Sequence, residues 1–367
     1  MTTFEIDLNA CRGRQRRVLD LMQQKQLDAV LVTQAEHVQY LAGPRFAWTF
    51  QPAALLTSDG RLTLVAPQKA PDRAAADEVL TYEAKWLSTM RNDQREASVQ
   101  VLLAARQGKP KFKRLGIEYS SSSRHYESLA SEFIDVEPDL YLMRRRKDPD
   151  ELILLRHAIA ATGKMYETAR AIIRPGITEL EVFNALQSTA VIACGEMLTG
   201  TGNDYQCNAR GGAPRTRAAE AGELYILDLG PAFRGYFADN CRTIAVTEPT
   251  DVQLEAWRRV TNVFGHVQTT VKPGKSCREL FQEVQSLLDQ APVGKFNHHL
   301  GHGIGLFPHE GPHLNPNWND TFEAGQVFAC EPGLYAPELR AGIRVENNYL
   351  VTSSGVQLLT EFPLGLK

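Results

Sequence analysis

The pattern of apolar and polar positions divides this chain into segments of two kinds. Arg14 to Gln26 carries Val18, Leu19 and Met22 at helical spacing, and predicts an amphipathic helix. Leu27 to Thr33 is a short apolar run that reads as a buried strand. Ala53 to Thr57 and Arg61 to Ala66 flank Ser58-Asp59-Gly60, a hairpin signal, and Leu115 to Tyr119 predicts another strand. Helix and strand thus alternate through the first 140 or so residues, as expected of a small α/β unit.

A boundary is expected next, where Arg144, Arg145, Arg146 and Lys147 form what reads as an exposed charge run. The division this predicts is 1–146 and 147–367. Asp148-Pro149-Asp150-Glu151 then supplies a helix start: Asp as N-cap, Pro at the first helical position, Glu three residues after the cap. The helix is expected to run to about Ile173, stopped by Pro175-Gly176, and a second from about Glu179 to Val191. From Leu224 the pattern turns to strands. Two further helices follow, about Val252 to Val271 and Cys277 to Leu288, and strands return from Val327 to the end. A helix pair plus a set of strands occurs twice, which predicts an internally duplicated α+β domain.

Composition narrows the class. The chain of 367 residues is long enough for two domains, and its 43% hydrophobic and 23% charged content is that of a globular protein. A formal charge of -3 gives no reason to expect nucleic acid or an anionic membrane as partner. No stretch approaches the roughly 18 uninterrupted apolar residues of a membrane span, and Met1 to Arg17 contains no apolar run of signal-peptide length. Six scattered cysteines without a CxxC pair predict reduced, mostly buried thiols and a cytoplasmic setting.

The chemistry concentrates in the second half. Tyr225-Ile226-Leu227-Asp228-Leu229-Gly230 places a carboxylate inside an apolar strand, which is costly unless it is paired or coordinated. Asp239 follows eleven positions later in a second strand pattern, Tyr236 to Val246, and a hairpin would bring both acids to one face. Gly301-His302-Gly303 sets a histidine between glycines, where backbone must approach something closely. Glu331 closes the apolar run Val327 to Cys330, and Glu346 lies in another, two residues after Arg344. His309-Glu310-Gly311-Pro312-His313 matches the HExxH zinc-protease string literally, but that motif works on a helix, and Gly311-Pro312 forbids one.

Each of these acids alone is compatible with a turn or strand-end residue. Together, four carboxylates and an imidazole would repel badly without cations, and two divalent metals bridged by shared carboxylates answer that need. Oxygen donors with one nitrogen suit Mn, with Co, Fe or Zn as alternatives, better than copper.

Asp228, Asp239, His302, Glu331 and Glu346, in that order and within those motifs, resemble the five-ligand set of the M24 metallopeptidases: methionine aminopeptidase, prolidase and aminopeptidase P, with the pita-bread fold. Leu27 to Val32 and Val38 to Gly43 resemble the creatinase-type N-terminal domain that precedes it in the proline-specific branch. The resemblance implies an α+β pita-bread catalytic domain behind a smaller α/β domain, and two-metal hydrolysis of the bond preceding proline in short peptides. It also implies roles. Asp239 and Glu346 would bridge the metals, Asp228 would chelate one, and His302 and Glu331 would hold the other. Glu331 would shuttle the proton and His309 would stabilise the tetrahedral species. His298 matches a substrate-pocket histidine, and Arg344 an arginine of the same pocket, with neutralisation of Glu346 as its other reading. Family habit implies a homodimer.

One departure stands out. The family carries a further histidine upstream of the first metal aspartate, at a position falling near Arg210, yet no histidine occurs between Leu198 and Asp228. Arg210 is therefore a candidate substrate contact of a different kind. Two alternatives remain at this level: a metal-independent C–N hydrolase resembling creatinase, which lacks the metal carboxylates retained here, and a non-catalytic binding protein on the same scaffold.

Overall fold

The computed structural model describes residues 4–121, 123–202 and 204–367, so the first three residues of the Met1 to Arg17 segment lie outside the described residues. The chain divides into two compact units, Met1–Arg144 and Arg145–Lys367.

In the first unit a six-stranded sheet has the order Glu78–Tyr82, Leu62–Pro67, Ala53–Thr57, Ala29–Val32, Phe112–Ile117, Ala130–Asp135. The Ala29–Val32 strand is buried at all four positions, which is why it reads as an unbroken apolar run rather than an alternating one. The Ala53–Thr57 and Leu62–Pro67 strands pair antiparallel across the Ser58-Asp59-Gly60 turn, with Gly60 at φ +86°. The helix expected from Arg14 instead spans Leu8–Lys25, because the Asp7 side chain caps it by accepting from the Asn9 N–H at 2.8 Å. The strand expected at Leu115 to Tyr119 lies at Phe112–Ile117, where it is paired on both sides.

The second unit repeats one theme. Helices Pro149–Ile172 and Glu179–Cys194 pack with an antiparallel sheet ordered Asn240–Ala245, Leu224–Leu229, Asp204–Cys207. Helices Asp251–Thr270 and Cys277–Leu288 pack with a sheet ordered Glu310–Leu314, Gly301–Gly303, Val327–Cys330, Asn347–Val351, Val356–Leu358. The first helix begins as its sequence predicts: the Asp148 N–H donates to Glu151 at 2.9 Å behind Pro149. Thr178 with Glu181 and Thr250 with Gln253 build the same reciprocal cap, each worth about 1 kcal/mol.

The charge run before it is not uniformly exposed. Arg146 faces solvent, but Arg144 and Lys147 are buried, because each has a buried partner: His37 lies 2.9 Å from Arg144, and the Glu310 carboxylate 3.0 Å from Lys147.

The two halves of the second unit are stitched where the site will lie. The Glu346 N–H donates to Cys241 O at 2.9 Å, the Arg344 N–H to Thr243 Oγ1 at 3.0 Å, and the buried Arg242 guanidinium to Glu346 O at 2.6 Å. Asn348 Nδ2 donates to Asp239 O at 2.5 Å. These bonds fix the ends of the Asn240–Ala245 and Asn347–Val351 strands side by side, with Asp239 and Glu346 at the seam.

Candidate active site

Asp228 sits in the Leu224–Leu229 strand, one residue from its end, and Asp239 immediately precedes Asn240–Ala245, its antiparallel neighbour. His302 is the middle residue of Gly301–Gly303, and Glu331 follows Val327–Cys330, which pairs with it. The flanking glycines answer a packing demand. A methyl added at Gly301 would sit 2.0 Å from Ala329 O, and one at Gly303 2.1 Å from Gly311 O. His302 can therefore reach inward only from a strand lacking both neighbouring side chains.

All five expected side chains come together. Asp228, Asp239 and Glu346 offer oxygens within 4.8 Å of one another, and so do ligand atoms of His302, Glu331 and Glu346. Glu346 belongs to both groups. His302 Nδ1 lies 3.0 Å from Gly303 O; a carbonyl only accepts, so the proton is on Nδ1 and the lone pair on Nε2 faces the acids. Nε2 is 3.6 Å from both Asp239 Oδ2 and Glu331 Oε1. That is too long for a hydrogen bond. It is close to the about 3–3.4 Å that separates two donor atoms bound to one ion.

The electrostatics favour cations. Burial and then the neighbouring carboxylates raise Asp239 and Glu346 well above the ordinary carboxylate range, and burial pushes Asp228 up to about 6 against the pull of Arg344. Burial alone would raise Glu331 too, but His299, His302 and His298 hold it down to about 2. Among the described residues, Asp228 Oδ1 and Glu346 Oε2 are buried with no hydrogen-bond partner. Buried oxygens without partners, a neutral imidazole pushed down to about 3 by burial, and surplus negative charge are together the donor chemistry of a divalent-cation site.

Around this group lie the other candidates. The His309 ring stacks on His302, centroids 3.6 Å apart, and shares the Asp239–His302 neighbourhood. Its neighbour Glu310 lies in a β-strand, Glu310–Leu314, so the literal HExxH string forms no helix. His298 Nδ1 donates to His299 O at 2.7 Å, which leaves Nε2 to accept from Tyr335 OH at 2.9 Å; burial pushes this imidazole down to about 4. Arg344 forms its ion pairs with acids other than Glu346, on which its charge acts only from a distance. It pairs with Asp228 at 2.9 Å and with Asp204, because the Asp204–Cys207 strand sets Asp204 opposite Asp228. Arg210 turns to the rim: its guanidinium stacks on the Tyr335 ring at 4.0 Å and donates to Asn297 Oδ1 at 2.6 Å.

Three contributors escaped the sequence. Asp204 reaches the site through strand register alone, and nothing in its flanking residues marks it. Tyr335 carries both His298 and Arg210. His299 binds Glu331 at 2.8 Å, and here a signal existed: three histidines in five positions.

Residues 153–353 match the metallopeptidase family M24. The chain belongs to that family. Residues 14–145 match the creatinase/prolidase N-terminal domain. An uncharacterized peptidase of Staphylococcus aureus is 26% identical over 361 residues, 94% of this chain and 98% of its own. Among solved structures, the prolidase of Pyrococcus horikoshii superposes with a TM-score of 0.80 at 25% identity, covering 97% of this chain and all of that one. An Xaa-Pro dipeptidase from Bacillus anthracis gives 0.80 and 25%, covering 98% and 99%. This family member is thus a metallopeptidase of mixed α/β fold, with peptides as substrates and a family dependence on divalent metals. No helix among the described residues is long and apolar enough to cross a membrane.

Proposed function

We propose that the chain hydrolyses the peptide bond preceding proline in short peptides, as an Xaa-Pro dipeptidase or aminopeptidase, with two divalent ions, Mn first and Co, Zn or Fe as alternatives. The observation that carries the reading is Glu346, which belongs at once to the Asp228–Asp239 group and to the His302–Glu331 group. The proline preference is supported by the likeness to the Pyrococcus prolidase and the Bacillus Xaa-Pro dipeptidase.

In this reading Asp228, Asp239, His302, Glu331 and Glu346 hold the ions, which when bound supply a Lewis acid and a water acidic near neutrality. Glu331, held ionised by three histidines, takes up the proton released at the attacking oxygen. His309, stacked beside His302, donates a hydrogen bond to the oxyanion developing on the attacked carbonyl. His298, fixed neutral by His299 O and Tyr335 OH, and Arg344 line the substrate pocket. The Arg210 loop replaces the histidine expected there. The six free, buried cysteines support a reducing, cytoplasmic setting; a homodimer is proposed on family habit, and sizing would test it.

The test combines metal analysis with an Xaa-Pro assay on one preparation. Expected are about two ions per chain and cleavage that His309→Ala lowers roughly 10²–10³-fold in kcat. A chain that binds metal but cleaves no Xaa-Pro peptide would overturn the specificity. One that binds none would overturn the centre.

A further inference from the structure

Beside the site lies a hollow of about 560 Å³ whose lining includes Arg210, Lys295, Asn297, Tyr335 and Arg340 and no carboxylate. It shares Lys295, Asn297 and Tyr335 with an adjoining hollow of about 730 Å³, in which Asp289 is the one acid in the lining. Its inner wall is Tyr335, the residue whose hydroxyl holds His298. The hollow is therefore next door to the groups proposed to grip substrate.

The cations differ in how much of their charge is already answered. Arg340 faces Glu223 at 3.4 Å and Glu220 at 3.9 Å. Among the described residues, no carboxylate lies within 4.0 Å of Arg210 or Lys295 in an ion pair. Arg210 is nonetheless held in place. Its guanidinium lies over the Tyr335 ring and spends one donor on Asn297, and its carbonyl accepts from Arg344 at 3.3 Å. The loop beneath it is pinned too: the Gly212 N–H donates to Asp204 Oδ1 at 2.6 Å, and a methyl at Gly211 would sit 2.2 Å from the Asp204 carboxylate. An arginine stacked on an aromatic face, with most of its five donors unspent and no acid beside it, is a preorganised anion receptor. Immobilising it in advance removes part of the entropy that binding would otherwise cost.

We propose that this hollow binds a carboxylate of the substrate through Arg210 and Lys295, so that the enzyme prefers Xaa-Pro peptides carrying an anionic group on the C-terminal side of proline. The proposal rests on the Xaa-Pro reading above. Two sources share this chemistry, the free C-terminus of the peptide and an acidic side chain, and a matched set of peptides separates them.

The experiment compares Gly-Pro-Glu and Gly-Pro-Gln, each as free acid and as C-terminal amide, on the metal-loaded enzyme. Wild type should favour a carboxylate-bearing peptide over its neutral partner about tenfold in kcat/KM, carried by KM, with the advantage shrinking as salt rises. A preference that follows acid over amide assigns the C-terminus; one that follows Glu over Gln assigns the side chain. In Arg210→Gln, and less fully in Lys295→Gln, the ratio should fall toward one, while Arg210→Lys should keep part of it. Equal kcat/KM across the four peptides, with cleavage intact, overturns the hollow and leaves the Xaa-Pro reading standing. If none is cleaved but the dipeptide Gly-Pro is, the chain is a dipeptidase; if Gly-Pro is spared too, the Xaa-Pro reading fails; in both cases the four uncleaved peptides become plain ligands. Calorimetric titration of the same four into the same enzyme then reads the hollow directly, and indifference to charge there overturns it as well.

Discussion

Lys147→Met is the substitution from which this structure allows the most to be worked out. Lys147 Nζ sits 3.0 Å from Glu310 Oε2, with the two side chains 1% and 6% exposed. Methionine matches the length of the lysine stem and removes only the cation. Glu310 then stays buried without the cation that faces it, and losing one partner of a buried pair costs about 3–5 kcal/mol. For a unit of this size each kcal/mol moves the midpoint by roughly 2–4 °C, so the catalytic unit should melt about 6–20 °C lower. In Lys147→Met/Glu310→Met both charges are gone, and most of that stability should return.

Activity should not return with it. The Glu310 carboxylate also accepts the Phe307 N–H at 3.0 Å, and together with Lys147 it packs against Gly305, so the pair pins the turn that carries His309. A displacement of about 1 Å at such a group lowers turnover roughly 10²-fold. The assay is urea denaturation of wild type, both single mutants and the double, read as a cycle, alongside kcat on an Xaa-Pro peptide with metal saturating. A Lys147→Met protein within about 0.5 kcal/mol of wild type, or a coupling energy near zero, would refute the reasoning.

Four other outcomes follow. Chelation should lower the melting temperature and added Mn²⁺ should raise it, because the ions offset the repulsion among four buried carboxylates; a melt indifferent to both counts against the cluster. Burial alone would raise the Asp320 carboxyl, but His313 and Arg145 hold it well below its usual value, so its stabilisation is fully present above about pH 5 and fades as pH falls through and below about 3.9. Asp320→Asn should therefore be less stable than wild type at pH 7, with the gap closing in acid; a gap of constant size would argue against the pairing. Gly301→Ala, with its methyl forced to 2.0 Å from Ala329 O at φ +153°, should cost more than about 3 kcal/mol and reduce metal content; wild-type stability would contradict the packing argument. Arg210→His should raise cleavage of neutral Xaa-Pro peptides by restoring a neutral donor near the scissile bond, and unchanged kcat/KM would show the departure to be tolerated.

What the sequence disclosed and what it hid divide along physical lines. The five acids and histidine of the cluster were legible because each interrupts an apolar strand or sits among glycines, and a buried charge needs a reason. The capped helix at Asp148 was legible because capping is local chemistry. Asp204 was not, because its place depends on which strand pairs with Leu224–Leu229, and pairing is a long-range fact. The burial of Arg144 and Lys147 was hidden for the same reason: their partners, His37 and Glu310, lie 107 and 163 positions away. Tyr236 to Val246 read as one strand, but it breaks at Ala238-Asp239, where Asn348 takes the Asp239 carbonyl and the carboxylate groups with Glu346.

The same distinction explains how this chain can keep the clustered acids and histidine while changing what surrounds them. The cluster is carried on strands whose ends are tied to one another by Glu346 N–H, Arg242 and Asn348, so moving any one acid strains several backbone bonds at once. Arg210 sits instead on a turn between Asp204–Cys207 and Leu224–Leu229, with Asn208 at φ +52° and Gly212 at φ +122°. That turn is anchored at its base by the Tyr205–Gly212 and Gly212–Asp204 hydrogen bonds, neither of which involves the Arg210 side chain. Residue 210 can therefore change type without disturbing the acids. Under the proposed function, position 210 is for this reason a place where substrate choice would shift while the clustered acids stay fixed, and the charge now found there points outward, to Tyr335 and Asn297.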